Sequence, residues 1–273
     1  MPALEEVSTK HRSYETILQP FFQSVAMADN SVLLLDFDGT LAPFRVDPSA
    51  VRPWARVAGL LDKIQEQGRT HIAIVTGRPA LDVAAQIGMA RPPEIWGLHG
   101  AERLLANGKI EHQTLSEDAQ LRLNAARHAI HSAVFTSQLD LRLEEKMNAV
   151  VLHWRGKSLR IIHEAKSRTR DLLAPFEAMP GIAVLHFDGG VEVRVGRNKG
   201  DAVRMLLSEY PLYTPSAYLG DDRTDEDAFR EISNRGLGIL VRREWRTTAA
   251  RLWLRPPVEL RRFLNGWLAA LRS

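Results

Sequence analysis

The sequence predicts an α/β fold, a parallel sheet interrupted by a smaller inserted α+β unit. Two observations carry this. Over residues 31–105, and again over 196–273, short unbroken apolar runs alternate with segments of helical period. Over 106–195 the short runs instead alternate apolar with polar residues, and two of them follow each helical segment. Strand–helix–strand repetition implies right-handed crossovers and a parallel sheet, whereas strict alternation implies antiparallel strands with one wet face.

Taken in order, "SVLLLDFDG" is a strand buried on both faces and closed by a turn. "WARVAGLLDKIQEQG" places Val57, Leu60, Leu61 and Ile64 on one helical face and stops at Gly68. "THIAIVTGR" is a second buried strand, "ALDVAAQIG" a glycine-stopped helix and "PEIWGLHGAE" a short strand and loop. The inserted unit opens with a helix at "SEDAQLRLNAARHAIHSAV", with Ala119, Leu123, Ala126, Ile130 and Ala133 on one face and Ser116 as N-cap. "QLDLRLEEK" and "NAVVLHWR" are alternating strands. "SLRIIHEAKSRTRDLLAPF" is a helix ended by Pro175, and "GIAVLHF" and "GVEVRVG" are two more strands. The first rhythm then resumes with a helix at "KGDAVRMLLSEY", a strand at "SAYLGDD", a helix at "DEDAFREISN", a strand at "GLGILVR" and a closing helix at "PPVELRRFLNGWLAALR". The core is therefore split, 1–105 plus 196–273, around an insertion at 106–195. "YETILQPFFQSVA" near the start fits either a helix on the core or a partner contact.

Composition narrows the function. A chain of 273 residues is long enough for two domains. It has no cysteine, so disulfides, thiolate metal sites and thiol catalysis are excluded. The 36 basic residues against 33 acidic ones give a net charge of +3, without a concentrated basic face or a reader motif, so no nucleic-acid partner is expected. No window approaches the roughly 18 apolar residues of a membrane span. The first 25 residues carry early acids and no long apolar stretch, unlike a signal peptide. The expectation is a soluble, cytoplasmic monomer.

In open parallel sheets, ligands bind beyond the carboxyl ends of the strands. Polar clusters sit at three such ends: Asp36-Phe37-Asp38-Gly39-Thr40, Thr76-Gly77-Arg78, and Gly220-Asp221-Asp222 with Asp225 just beyond. Several carboxylates in one cleft repel unless a cation neutralises them, and an all-oxygen ligand set suits Mg2+. Thr76 offers a hydroxyl and Gly77 an unobstructed N–H to an anion, and Lys199 opens a helix, where the dipole also favours an anion.

The segments "DFDGT", "VTGR", "GRNKGDA" and "GDDRTDED" resemble, in order and context, the four motifs of the haloacid dehalogenase-like phosphohydrolases. "GLHGAE", "LEEKMNAVVLHWR", "GGVEVRVGRNKGDA", "YLGDDRTDEDAF" and "PPVELRRFLNGWL" resemble the trehalose-6-phosphate phosphatases within them, from about residue 31 to the end. The resemblance implies a Rossmann-like core of the haloacid dehalogenase type with an inserted α+β cap, and a magnesium-dependent phosphatase acting on trehalose 6-phosphate. It implies that Asp36 is the nucleophile, forming an aspartyl-phosphate, and Asp38 the general acid and base. It places Mg2+ on Asp36, the Asp38 carbonyl and Asp221, with Asp222 and Asp225 as further ligands or supports, and it gives Thr76, Gly77 and Lys199 to the phosphate. The insertion becomes a specificity cap, with Glu144, Lys146, Arg155, Glu192 and Arg194 as sugar contacts. Arg78 and His99 would line the substrate side of the core, and His99 fits a turn-stabilising role equally well.

Strand periodicity puts Glu144 with Lys146, His153 with Arg155, and Glu192 with Arg194 on shared faces. The approach "LHFDGGVEVR" carries Asp188 and two glycines where the family often has a lysine, and "EVRVGRN" lacks the family's frequent proline. The same four motifs also fit a capped phosphatase of mannosyl-3-phosphoglycerate or sucrose 6-phosphate, or a catalytically silent sugar-phosphate sensor.

Overall fold

The computed structural model describes the backbone of residues 2–45, 47–137, 139–187 and 189–273, and the side chains of these except residues 2–14 and 133–137. Asp188 thus lies outside the described residues, and so does the side chain of Ala133. The chain forms two compact units, 1–111 with 198–273, and 112–197.

In the first unit, parallel strands β1 (Ser31–Leu35), β2 (Thr70–Val75), β3 (Glu94–Gly97), β10 (Ser216–Gly220), β11 (Leu237–Val241) and β12 (Leu252–Leu254) lie in the order β12-β11-β10-β1-β2-β3. Chain direction reverses its outward walk between β1 and β10, the switch point at which such sheets bind ligands. The unbroken apolar strands are explained by helices on both faces. Leu33, Leu35, Ile72, Ile74, Ala217 and Leu219 share a buried cluster with α2 (Val57–Glu66), α3 (Ala80–Gln86) and α8 (Val258–Arg272). Their neighbours Val32, Leu34, Ala73, Val75 and Tyr218 pack with α6 (Lys199–Leu207) and α7 (Glu226–Ile232).

Of the two readings of segment 14–26, the structure has the helix on the core: the segment belongs to α1 (Pro2–Met27), which packs on α8 through Phe21 and Trp267 at 5.5 Å and Phe22 and Phe263 at 5.5 Å. Two features differ from the sequence expectations. Strand β12 was not predicted, because three residues, "LWL", are too short for a periodic signal. Strands β4 (Glu102–Leu104) and β5 (Ile110–His112) extend the first sheet beyond β3, with β4 antiparallel, so residues 106–111 lie with the first unit. Their turn is a Gly108 hairpin rather than a crossover, which is what an antiparallel edge requires.

The second unit contains α4 (Glu117–Ser137), β6 (Arg142–Glu145), β7 (Ala149–His153), α5 (Leu159–Glu177), β8 (Ile182–Phe187) and β9 (Gly190–Val195). The sheet runs β6-β7-β9-β8, antiparallel throughout. Val150, Leu152, Val191 and Val193 on one face cluster with Ala126 and Ile130 of α4 and Ala165, Leu173 and Phe176 of α5. Helix α5 runs through Pro175 to Glu177 instead of stopping at it. The proline sits in the last turn, where the missing N–H costs a single hydrogen bond.

Candidate active site

The first-unit groups converge at the ends of β1, β2 and β10. Asp36 follows β1 directly, and its N–H donates to the Leu219 carbonyl of β10 at 2.8 Å. Asp36 is 4% exposed. Lys199 Nζ donates to Asp36 Oδ1 at 2.6 Å and to Asp225 Oδ1 at 2.8 Å, and Thr40 Oγ1 donates to Asp36 Oδ2 at 3.3 Å. Lys199 is held at the first position of α6 by a capping box between Asn198 and Asp201. The loop 37–42 turns back on itself through Gly39 N–H to the Ala42 carbonyl at 2.7 Å, with Phe37 as a fully buried anchor.

Charge and burial are in tension here. Burial pushes the Asp36 carboxyl up to about 7, with Lys199 opposing it. Burial, then the charge of Asp36, pushes Asp221 well above the usual carboxylate range. Burial also acts to raise Asp225, but the Lys199 ammonium outweighs it and holds that carboxyl below its ordinary value. Lys199 itself is raised: burial acts to lower it, and Asp225 and Asp36 overcome that.

Asp36, Asp221 and Asp225 each bring a carboxylate oxygen within 4.8 Å of the others. Two buried acids whose ionisation is resisted by desolvation and by each other form a donor set that a divalent cation fits. Space is kept for it: a Cβ on Gly39, at φ 83°, would stand 2.1 Å from Asp221 Oδ2. Asp225 is differently placed. Its Oδ1 accepts from Lys199 and from Tyr218 at 2.5 Å, and its Oδ2 from the N–H groups of Asp221 at 3.0 Å and Asp222 at 2.9 Å. Four donors fill the lone pairs of one carboxylate, so Asp225 braces the loop that carries Asp221. Asp222 Oδ1 caps the following turn through Arg223 N–H at 2.8 Å.

The β2 end is equally constrained. Thr76 is 1% exposed, and its N–H donates to the Trp96 carbonyl at 2.9 Å. Leu98 and His99 both adopt left-handed backbone, φ 48° and 57°. Such residues cost on the order of 1–3 kcal/mol each and persist only where surroundings hold them. Here Leu98 N–H donates to the Arg78 carbonyl at 2.9 Å and His99 N–H to the Thr76 carbonyl at 2.8 Å. The His99 ring lies so close to Gly77 that a Cβ there would meet Nε2 at 2.6 Å. The Arg78 guanidinium is engaged with Asp38, by two hydrogen bonds at 2.5 and 2.6 Å.

In the second unit, Glu144, Val151 and Glu192 pair across β6, β7 and β9 and so share the face opposite the helices. Lys146 Nζ reaches Glu192 Oε2 at 3.2 Å, and His153 Nε2 lies 2.8 Å from Glu144 Oε2. Arg194 is two residues from Glu192 on the same strand, 3.7 Å from its Oε1. The hydrogen bond from His153, against some desolvation, holds the Glu144 carboxyl below its ordinary value. Arg155 is not on a strand face with His153. Strand β7 ends at His153, and Arg155 sits in the exposed turn beside Gly189.

Three supporting residues received no role from sequence reasoning. Thr40 lay in plain view after the two acids. Tyr218 is the single hydroxyl inside the apolar run of β10 after Ser216. Arg246 donates to the Asp222 carbonyl at 2.6 Å and pairs with Glu226, bracing the Asp221 loop from 20 or more residues away, and no local pattern marks it.

This arrangement coincides with a family match. The trehalose-phosphatase family model matches residues 34–252. The chain belongs to that family. A probable trehalose-phosphate phosphatase of Sinorhizobium fredii is 34% identical over 218 residues, 78% of each chain. The trehalose-phosphate phosphatase of Mycobacterium marinum is 30% identical over 255 residues, 88% of this chain, and this chain spans 62% of that relative's length. The crystal structure of a trehalose-6-phosphate phosphatase related protein superposes with a TM-score of 0.66 at 26% identity, covering 89% of this chain and all (100%) of that one. The family match takes in every strand-end residue named above, from Asp36 to Asp225.

Proposed function

We propose that this chain is a cytoplasmic, magnesium-dependent phosphatase of trehalose biosynthesis. It hydrolyses trehalose 6-phosphate to trehalose and phosphate through an aspartyl-phosphate on Asp36. The observation that carries the reading is the buried Asp36 carboxylate at the switch point of the sheet, fixed by Lys199 at 2.6 Å and flanked by Asp221. Asp36 attacks phosphorus as the bond to the sugar oxygen breaks, and Asp38 supplies the proton that oxygen takes up. Asp38 then accepts a proton from the water whose oxygen displaces Asp36 from phosphorus.

Lys199 has three N–H donors. Asp36 and Asp225 take two, which leaves a third for a phosphoryl oxygen. Thr76 and Gly77 supply a hydroxyl and a backbone N–H to the same group, so most of the chain's contribution is positioning and charge neutralisation. Asp36 and Asp221 would hold Mg2+ with the Asp38 carbonyl, and the ion would neutralise charge on the transferring phosphoryl group. Asp222 and Asp225 support the loop. Glu144, Lys146, Arg155, Glu192 and Arg194 offer the paired donors and acceptors that sugar hydroxyls require.

Phosphate release from trehalose 6-phosphate, mannosyl-3-phosphoglycerate and sucrose 6-phosphate, each with and without Mg2+, tests this. The expected result is metal-dependent turnover with a clear preference for trehalose 6-phosphate. Equal turnover of the three, or preference for another, contradicts the substrate. No turnover of any identifies a silent sensor.

A further inference from the structure

Arg78 is built as a clamp. Its Nε donates to Asp38 Oδ2 at 2.5 Å and its Nη2 to Asp38 Oδ1 at 2.6 Å, a two-pronged grip on one carboxylate. Such a fork fixes the plane of the acceptor as well as its position, which a point charge does not. The fork itself is anchored. Nη1 donates to the Pro48 carbonyl at 2.7 Å and to Gln86 Oε1 at 3.0 Å, and the guanidinium lies 5.6 Å from the centre of the buried Phe37 ring. Its backbone is pinned too, with Arg78 N–H donating to Thr76 Oγ1 at 3.2 Å. A guanidinium has five N–H donors, and these contacts use four of them, which leaves little for a sugar. Asp38, by contrast, is held by no other side chain among the described hydrogen bonds.

We infer that Arg78 is a positioning residue that fixes the Asp38 carboxylate for proton transfer, with Gln86, the Pro48 carbonyl and Phe37 as its backing. The inference rests on Asp38 being the acid and base proposed above. It separates the two half-reactions. Departure of an activated phenolate needs no proton, so loss of the clamp spares it. Attack of water on the phosphoenzyme needs Asp38 aimed as a base, so loss of the clamp slows it.

The test uses 4-nitrophenyl phosphate with Mg2+ in stopped flow, on the full chain and on Arg78→Met, Arg78→Lys and Asp38→Asn. Arg78→Met should release about one equivalent of nitrophenolate per site in a burst at near the unmodified rate. Its steady-state kcat should then fall by roughly 10- to 100-fold, with KM falling alongside it and kcat/KM nearly unchanged. Arg78→Lys, which keeps the charge and loses the fork, should fall in between. A raised KM with unchanged kcat overturns the inference in favour of a substrate contact. Burst and steady state falling together overturn it in favour of a general structural brace. Should Arg78→Met fail to fold, Arg78→Lys decides alone: an intact burst with slowed turnover supports the clamp, and unchanged kcat overturns it. Asp38→Asn separates the two layers, because normal turnover in that variant removes the acid–base role itself, whatever Arg78 does.

Discussion

The polar clusters of the two units are built in opposite ways. In the first, the charges are deeply buried and tied to the backbone: Asp36 hangs on the β1–β10 ladder, Lys199 on a capped helix start, and Asp225 on two successive N–H groups. In the second, the polar face is made of side chains pairing with side chains across strands, Glu144 with His153 and Lys146 with Glu192. Backbone-tied groups are preorganised, which suits the fixed geometry of bond making. The part-exposed Glu144–His153 pair can exchange partners at modest cost, which suits recognition of hydroxyls.

The largest expected effect lies in the first cluster. Asp36→Asn should lower phosphomonoester turnover by on the order of 10⁴ or more, as removal of a nucleophile does, with the circular dichroism spectrum unchanged. Substantial residual turnover would move the nucleophile elsewhere.

Next comes the coupling of metal and protons. Burial raises Asp36 to about 7 and Asp221 well above its ordinary range, so near neutral pH the metal-free site carries protons that a cation must displace. Mg2+ binding should therefore release protons near pH 7, and affinity should weaken as pH falls below 7. Calorimetry in two buffers of different ionisation enthalpy reads the proton count directly, and zero release would contradict the account.

The smallest effect belongs to the second cluster. Glu144 is held below its ordinary pKa chiefly by His153, so this pair stabilises the fold above the unfolded-state value and the contribution is lost as pH falls through the folded one. Glu144 is 32% exposed, so His153→Gln should cost within about 1 kcal/mol, read as a small drop in Tm at neutral pH that vanishes in acid.

The same contrast explains what the sequence made legible. Strand-end acids were readable because "LLLDFDG" and "YLGDD" join apolar runs to carboxylates with no intervening turn. The partnership of Arg78 with Asp38 was not, since 40 residues separate them and only the β1–β2 pairing brings their loops together. Nor was the saturation of Asp225, because its four donors come from two helices' approaches and one strand interior. Arg155 was misplaced because alternation was extended past the point where β7 turns at Trp154. Short edges such as β12 carry too few residues for any period to register.

The central claim is a division of labour, chemistry in the first cluster and substrate choice in the second. Its most direct test is kcat/KM for trehalose 6-phosphate against 4-nitrophenyl phosphate in Glu192→Gln. Glu192 is 5% exposed and paired with Lys146, and a neutral amide there weakens charge-assisted contacts while leaving the fold's shape intact. The account predicts a loss of roughly tenfold or more on trehalose 6-phosphate, with 4-nitrophenyl phosphate nearly unchanged. An equal loss on both substrates, or none on either, would contradict it.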